Sequence, residues 1–360
     1  MTLRIEYVSV GNRLRNRLAT EQSGSRRRTA TLADVAASAG VSASTASRAL
    51  NGRGELSAAT RAAVIEAAQR LGFQPSPLAR SLRTRLTYTV GFVVPDVASP
   101  FYAASLKGAQ AVLEDSGYRV MLMDSELSVT GEVAALRTLL NHRVDGLLVA
   151  TAGVSRDEFE DLVGSTGTPC VFLDSVVDGA GAGAVTLENR AGMVLLVEHL
   201  RVEHGHTRIA LLAGSQQETS GIERLEAFVA AVQPAPELVR AGPWTQAAGA
   251  AGTHALLALD PRPTAIVASS AELGLGCLAA CRELGVVLPD QLALVTFDDP
   301  YFGALLEPPL TAVGYDAADV GRSAAALLVA AMQGEEIERR EVRVPVAIVR
   351  RRSCGCEGGG

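Results

Sequence analysis

Residues 31–51 read TLADVAASAGVSASTASRALN, and this stretch decides how the chain begins to fold. Thr31 and Asp34 stand at capping-box spacing, and Leu32, Val35, Ala36 and Ala39 recur at i, i+3, i+4 and i+7, so a short amphipathic helix starts here. Gly40 offers a left-handed stop. Ser42 can cap a second helix, to which Ala46, Ala49 and Leu50 give a buried stripe. Two short helices joined by a turn containing Gly make a helix-turn-helix, whose second helix enters the major groove by its amino-terminal end. A third helix, from a cap at Ser57 through Val64, Ile65, Ala68 and Leu71 to a stop at Gly72, closes a small all-α core.

Charge separates this head from the rest. Through residue 85, fourteen arginines stand against five acids, a surplus of nine positive charges; the remainder holds 19 basic and 34 acidic residues, a deficit of fifteen. A basic segment on an acidic body suits a nucleic-acid-binding head, because neutralising phosphates supplies most sequence-independent affinity. Residues 1–28 carry arginine without periodicity and are read as a basic disordered arm. The whole chain, 360 residues with 48% apolar and 20% charged, is long enough for two or three domains and is neither a disordered nor a low-complexity polymer. No run of about 18 apolar residues is present, and the Arg-rich start lacks the apolar core of a signal peptide, so the expectation is a cytoplasmic, nucleoid-associated protein without a membrane partner. Five scattered Cys argue against a disulfide framework.

Residues 31–51 closely resemble the amino-terminal signature of the LacI/GalR family of bacterial transcription regulators. The likeness continues through Ser57, Thr60 and Arg61, through Leu71 to Pro75, and through the hinge Pro77 to Arg83; Ala46 departs from it, standing where most members carry Val. The resemblance implies that Ala43, Ser44 and Arg48 read base edges while Ser42, Thr45, Ser47 and Asn51 hold phosphates. Arg48 is the sharpest of these, since a guanidinium can bind guanine bidentately. Leu78, Ala79 and Leu82 keep an apolar face on a segment too short to be helical alone. By resemblance two such hinges pair as helices in the minor groove, with Leu82 as the wedge. A homodimer on double-stranded operator DNA is therefore expected, with a helix-turn-helix domain at 29–75 and a hinge helix at 76–85.

After the hinge, apolar runs of strand length alternate with helical patterns: 88–94, 120–123, 146–150, 171–173, 209–213, 265–268 and 292–297. Such runs indicate parallel sheets covered on both faces, and there are enough for two. Gly179 to Gly183 reads as a crossover between halves. A helix at 317–332 and a strand near 342–349 must then pack back. The body resembles the periplasmic-binding-protein-like effector domain of the same regulators, so the fold class is α/β: a small all-α head and hinge helix, then a two-subdomain body with two parallel sheets. Its bounds are 86–352, with subdomains at 86–186 plus 315–340 and 187–314 plus 341–352, and a flexible tail at 353–360.

Ligands of open parallel sheets sit beyond the carboxyl ends of the strands. Asp174 and Asp298 both follow buried strand runs and should face such a ligand, with Arg224 offering a two-pronged donor. The resemblance adds Trp244, the only Trp in the chain, and Phe101 as covers for the ligand's faces, together with Asp96, Ser270 and Tyr315. Ser270-Ala271 departs from the family's usual Asn-Asp, and Tyr315 replaces a residue that is often polar. This set fits a sugar-like effector, with a purine as the alternative, held without a cofactor or metal.

The implied function is an effector-controlled, DNA-binding transcription regulator, a repressor rather than an enzyme. A sugar-binding receptor without DNA function is the second reading. An NAD-dependent dehydrogenase is the third, on the strength of Gly274-Leu-Gly276-Cys-Leu-Ala279, although these glycines are better placed inside a helix. His204-Gly-His206 and Cys354-Gly-Cys356 are each thin grounds for a metal. Cys277 and Cys281, one helical turn apart, read as core.

Overall fold

The computed structural model describes residues 30–50, 55–73, 86–335 and 340–357, which fall into two compact units, one before residue 74 and one after residue 85. The expectations for residues 1–28, for Asn51 and for the hinge residues Leu78, Ala79 and Leu82 lie outside the described residues.

In the first unit, α1 (Leu32–Ser38) opens with a full capping box: Asp34 N donates to Thr31 Oγ1 at 3.3 Å and Thr31 N to Asp34 Oδ2 at 2.8 Å. Gly40 turns the chain at φ +67°, and Ser42 Oγ caps α2 (Ala43–Leu50) by accepting from Thr45 N at 3.1 Å. Helix α3 (Ala58–Arg70) starts on the Ser57 cap, and Gly72 follows it at φ +61°. Val35, Ala36, Ala46, Ala49, Val64, Ala67 and Ala68 form the core. The inward stripe of α3 is thus 64, 67 and 68. Ile65 sits a hundred-degree step around the helix and is 41% exposed, and Leu71 lies past its end, so neither belongs to the buried face assigned from the sequence.

The second unit begins with β1 (Thr89–Val94), α4 (Pro100–Asp115), β2 (Arg119–Asp124), α5 (Val129–Asn141), β3 (Gly146–Val149), α6 (Arg156–Leu162), β4 (Cys170–Leu173) and β5 (Gly183–Leu187). It continues with α7 (Asn189–Glu198), β6 (Ile209–Ala213), α8 (Thr219–Val232), β7 (Val239–Ala241), α9 (Gln246–Leu257), β8 (Ala265–Ala268), α10 (Ala271–Leu284), β9 (Ala293–Phe297), β10 (Thr311–Gly314), α11 (Ala317–Met332), β11 (Arg340–Val344) and β12 (Ala347–Val349). One sheet runs β11-β5-β4-β3-β1-β2, all parallel. The other runs β12-β10-β9-β8-β6-β7, parallel except where β12 lies antiparallel on β10. Strands β3, β4, β6, β8 and β9 are buried along their whole length, which is why they read as unbroken apolar runs.

Each half carries a helix pair closed by glycine. In the first, a Cβ on Gly108 of α4 would stand 1.9 Å from Ala318 O, and one on Gly321 of α11 would stand 1.8 Å from Ser105 O. In the second, Gly276 of α10 would meet Gln246 O at 2.1 Å and Gly249 of α9 would meet Leu273 O at 2.3 Å. Gly274 and Gly276 therefore lie within α10 as packing residues, not in a phosphate-cradling turn. Cys277 and Cys281 are buried in the same helix.

Three expectations change. The strand at 342–349 is two strands in different sheets, because Pro345 has no N–H to extend the ladder and the chain crosses between halves there. Gly183 opens β5 within the first sheet, so the earlier crossing comes after Leu187, where Glu188 leads into α7. The tail is not loose from Ser353: that side chain is fully buried, donating to Leu294 O at 2.6 Å and accepting from Thr311 N at 2.9 Å.

Candidate functional site

On the head, Ser42, Ala43, Ser44 and Arg48 are exposed at or along α2, while Thr45 and Ser47 are half-buried. Ser42 Oγ lies 2.8 Å from Ser44 Oγ and 2.9 Å from Thr45 Oγ1, a small hydroxyl network at the helix start. A helix amino terminus with a cluster of hydroxyls and one exposed guanidinium is chemically suited to phosphate oxygens and base edges.

In the body, a cavity of about 800 Å³ opens beyond the carboxyl ends of both sheets, and the structure brings all eight sequence-assigned residues to its lining: Asp96, Phe101, Asp174, Arg224, Trp244, Ser270, Asp298 and Tyr315. Asp174 directly follows β4 and Asp298 directly follows β9, both in the left-handed region at φ 65° and 68°. That conformation is uncommon outside Gly and is best tolerated by Asn and Asp.

The two carboxylates have tyrosine partners of matching type. Tyr102 donates to Asp174 Oδ2 at 3.0 Å and Tyr315 donates to Asp298 Oδ1 at 2.6 Å. Burial pushes both phenols well above their ordinary range, and the neighbouring carboxylates add to it, so both hydroxyls remain donors. Phe101 sets its ring edge-on to both tyrosines.

Arg224 is buried. Its Nε donates to Asn189 Oδ1 at 2.9 Å and its Nη1 to Ser269 O at 2.7 Å, its carbon lies 3.7 Å from the Phe297 ring centre, and Asp298 Oδ1 stands 3.8 Å away. The fork is therefore held flat and aimed before a ligand arrives. Trp244 sits over two glycines: a Cβ on Gly214 would meet its ring at 2.1 Å and one on Gly221 at 3.3 Å. Its indole N–H donates to Glu218 Oε2 at 2.9 Å.

Glu218 is the residue that sequence reasoning missed. It stands before α8 in the polar stretch Gly214-Ser-Gln-Gln-Glu218-Thr-Ser-Gly221, which looks like solvent, yet it is buried and lines the cavity. Burial, with the charge of Asp174, raises its carboxyl to about 7. Burial likewise raises Asp174 to about 6, against the pull of Arg224 and the Tyr102 hydroxyl. Tyr102, Gln246 and Glu272 also line the space. Two assigned residues have local duties as well: Ser270 Oγ caps α10 by accepting from Leu273 N at 3.3 Å, and Asp96 Oδ1 accepts from Ala98 N at 2.8 Å.

Among the described residues lining the cavity, Arg224 is the one base against seven acids, Asp96, Asp174, Glu218, Glu272, Asp298, Asp299 and Asp316. Such walls present acceptors to hydroxyl donors and repel anions.

Comparison with known proteins follows the same division. Residues 31–76 match the family "Bacterial regulatory proteins, lacI family", and residues 197–354 match the "Periplasmic binding protein-like domain". The transcriptional regulator CelR of Thermobifida fusca is 35% identical over 326 residues, covering 87% of this chain and 95% of that protein. Among solved structures, the lac repressor dimer bound to operator and the anti-inducer ONPF superimposes with a TM-score of 0.81 at 27% identity, covering 91% of this chain and 99% of that one. A CelR–cellobiose complex does so with a TM-score of 0.69 at 31% identity, covering 90% and 99%.

Proposed function

The chain belongs to the LacI family of bacterial regulatory proteins and is a DNA-binding transcription regulator, and from that premise we propose that it is a homodimeric cytoplasmic repressor whose operator affinity is set by a sugar held in the cleft. One observation carries the effector reading: Asp174 and Asp298, at strand ends of different sheets, converge with Arg224 and Trp244 on one cavity whose charged lining is seven carboxylates and one guanidinium. A neutral polyol supplies hydroxyl donors to such acceptors and carries no negative charge for them to repel, while the one guanidinium can hold two of its oxygens. The relative solved with cellobiose and the one solved with ONPF support a glycoside as the class. No catalytic arrangement is part of this reading.

A ligand bridging the two halves favours the orientation in which both carboxylates reach it. Linkage makes the effect reciprocal: the sugar changes operator affinity and operator changes sugar affinity by one factor, typically about 5- to 150-fold. On the head, α2 enters the major groove, with Arg48 bidentate to guanine and Ser42, Thr45 and Ser47 on phosphates.

The chain's single Trp makes the test direct. Titrating full-length protein with mono- and disaccharides should change Trp244 fluorescence saturably, and the active sugar should shift the midpoint of operator binding measured by anisotropy. Purine bases serve as the contrasting ligands. A purine that saturates while no sugar does would overturn the polyol assignment, and a sugar that binds without moving operator affinity would break the coupling.

A further inference from the structure

Two signals that are weak in the sequence meet in space. His204 and the tail residues Cys354 and Cys356 come together with His199, the first residue of a π-helical turn (His199–Glu203) that continues α7. His199 Nε2 lies 3.2 Å from Cys354 Sγ and 3.5 Å from Cys356 Sγ. Cys356 Sγ lies 3.4 Å from His204 Nε2 and 3.5 Å from Cys354 Sγ, and all four ligand atoms fall within 4.8 Å of one another. A tetrahedral zinc ion with bonds of about 2.0–2.3 Å holds its ligand atoms roughly 3.3–3.8 Å apart. The 3.2–3.5 Å spacings already have about that size, and with no pair beyond 4.8 Å a small inward shift of His204 completes the tetrahedron.

The surroundings suit a metal as well. Glu203 Oε2 stands 3.1 Å from the outer ring nitrogen of His199, and Arg350 holds the same carboxylate at 2.6 Å. A carboxylate behind a ligating imidazole fixes its tautomer and orientation. His199 and Cys354 are buried while His204 and Cys356 are half-buried, and none of the four lines the cleft. His206 points elsewhere, with Nδ1 3.0 Å from Thr264 Oγ1, so the His-Gly-His pair noted in the sequence contributes only its first member.

We propose that His199, His204, Cys354 and Cys356 form a closed structural site for one zinc ion, which staples the end of the chain to the π-helical turn after α7. Two thiolates and two imidazoles in a tetrahedron select zinc over hard, oxygen-seeking cations, and four protein ligands leave no position for substrate. The pairs come from segments some 150 residues apart, so the ion closes the second half of the body as a cross-link would. Binding releases the two thiol protons.

The test is elemental analysis of full-length protein purified without chelator, with thiols titrated after unfolding. About one zinc per chain is expected, falling close to zero in Cys356→Ser and in His204→Ala, both at half-buried positions, while His206→Ala keeps its zinc. Cobalt replacing zinc should give the visible absorption of a tetrahedral thiolate site, lost in Cys356→Ser. Glu203→Gln should bind zinc roughly 10- to 100-fold more weakly in competition with a chelator. A protein that takes up no zinc on dialysis against it, one whose Cys354 and Cys356 are joined as a disulfide, or zinc content unchanged by Cys356→Ser and His204→Ala would each overturn the assignment.

Discussion

The two halves of the body end their inner strands with the same device and make different surfaces from it. Asp174 and Asp298 share a left-handed backbone and a tyrosine donor, but Asp174 is buried and raised to about 6, whereas Asp298 keeps its side chain 26% exposed and faces Arg224. The difference lies in what surrounds each carboxylate. The second half brings the cation, and the first brings Phe101 and Tyr102. Backbone geometry alone therefore does not decide how a strand-end acid behaves; how far burial strips it of water does, and at Asp174 burial outweighs the pull of Arg224.

Removing the cation should break this asymmetry most. Arg224→Ala takes away a charged donor and strands Ser269 O and Asn189 Oδ1, so sugar affinity should fall by about 1.5–3 kcal/mol, or roughly 10- to 150-fold, in the Trp244 titration. Melting temperature should drop too, while sugar-free operator binding stays close to wild type. Unchanged sugar affinity would mean that the cleft is misassigned.

The helix pairs are the next point of comparison, since both halves close them over glycine. Gly321→Ala and Gly276→Ala each drive a methyl group into a backbone carbonyl, and each should lower stability in denaturant melts by about 1–3 kcal/mol, against the usual gain of a helical Gly→Ala change. A neutral result in one half alone would show that the halves are not packed alike.

The smallest effects are in titration. Glu218 titrates near 7 in the folded chain, well above the ordinary glutamate value, so the folded state holds this proton more tightly than the unfolded one. Its contribution to stability is complete below about pH 4 and is lost as pH rises through about 7. Glu218→Gln should match wild type at low pH and exceed it by about 1–2 kcal/mol at pH 8 in sugar-free thermal melts. Asp174→Asn should stabilise in the same direction, and Asp298→Asn, which takes a counter-charge from Arg224, should cost under about 1 kcal/mol. Equal signs for the two Asp variants would erase the distinction drawn between the halves.

The long periodic elements were legible in the sequence. Residues 209–213, 265–268 and 317–332 read directly as β6, β8 and α11, because burial on both faces or along one stripe leaves a pattern. Strands β5, β7 and β10 were not, since GAVTL, VRA and TAVG are short, mix in Gly, Thr or Arg, and take their strand character from neighbours already in the sheet. The pocket residues read from strand ends and by resemblance do converge in space, whereas Glu218 escaped because it is packed beside Trp244, 26 residues away, which no local pattern records. The Cys and His pairs were visible only as separate fragments, for nothing local ties residue 204 to residue 356.

The left-handed turns at Asp174 and Asp298 also constrain descent. The left-handed backbone costs Gly nothing and costs Asn least among the other residues, so these are the replacements that disturb the turn least. Aspartate and asparagine codons differ by one base. A descendant can therefore switch off a carboxylate on either wall in a single mutational step and acquire taste for a different ligand while its scaffold stays as inherited.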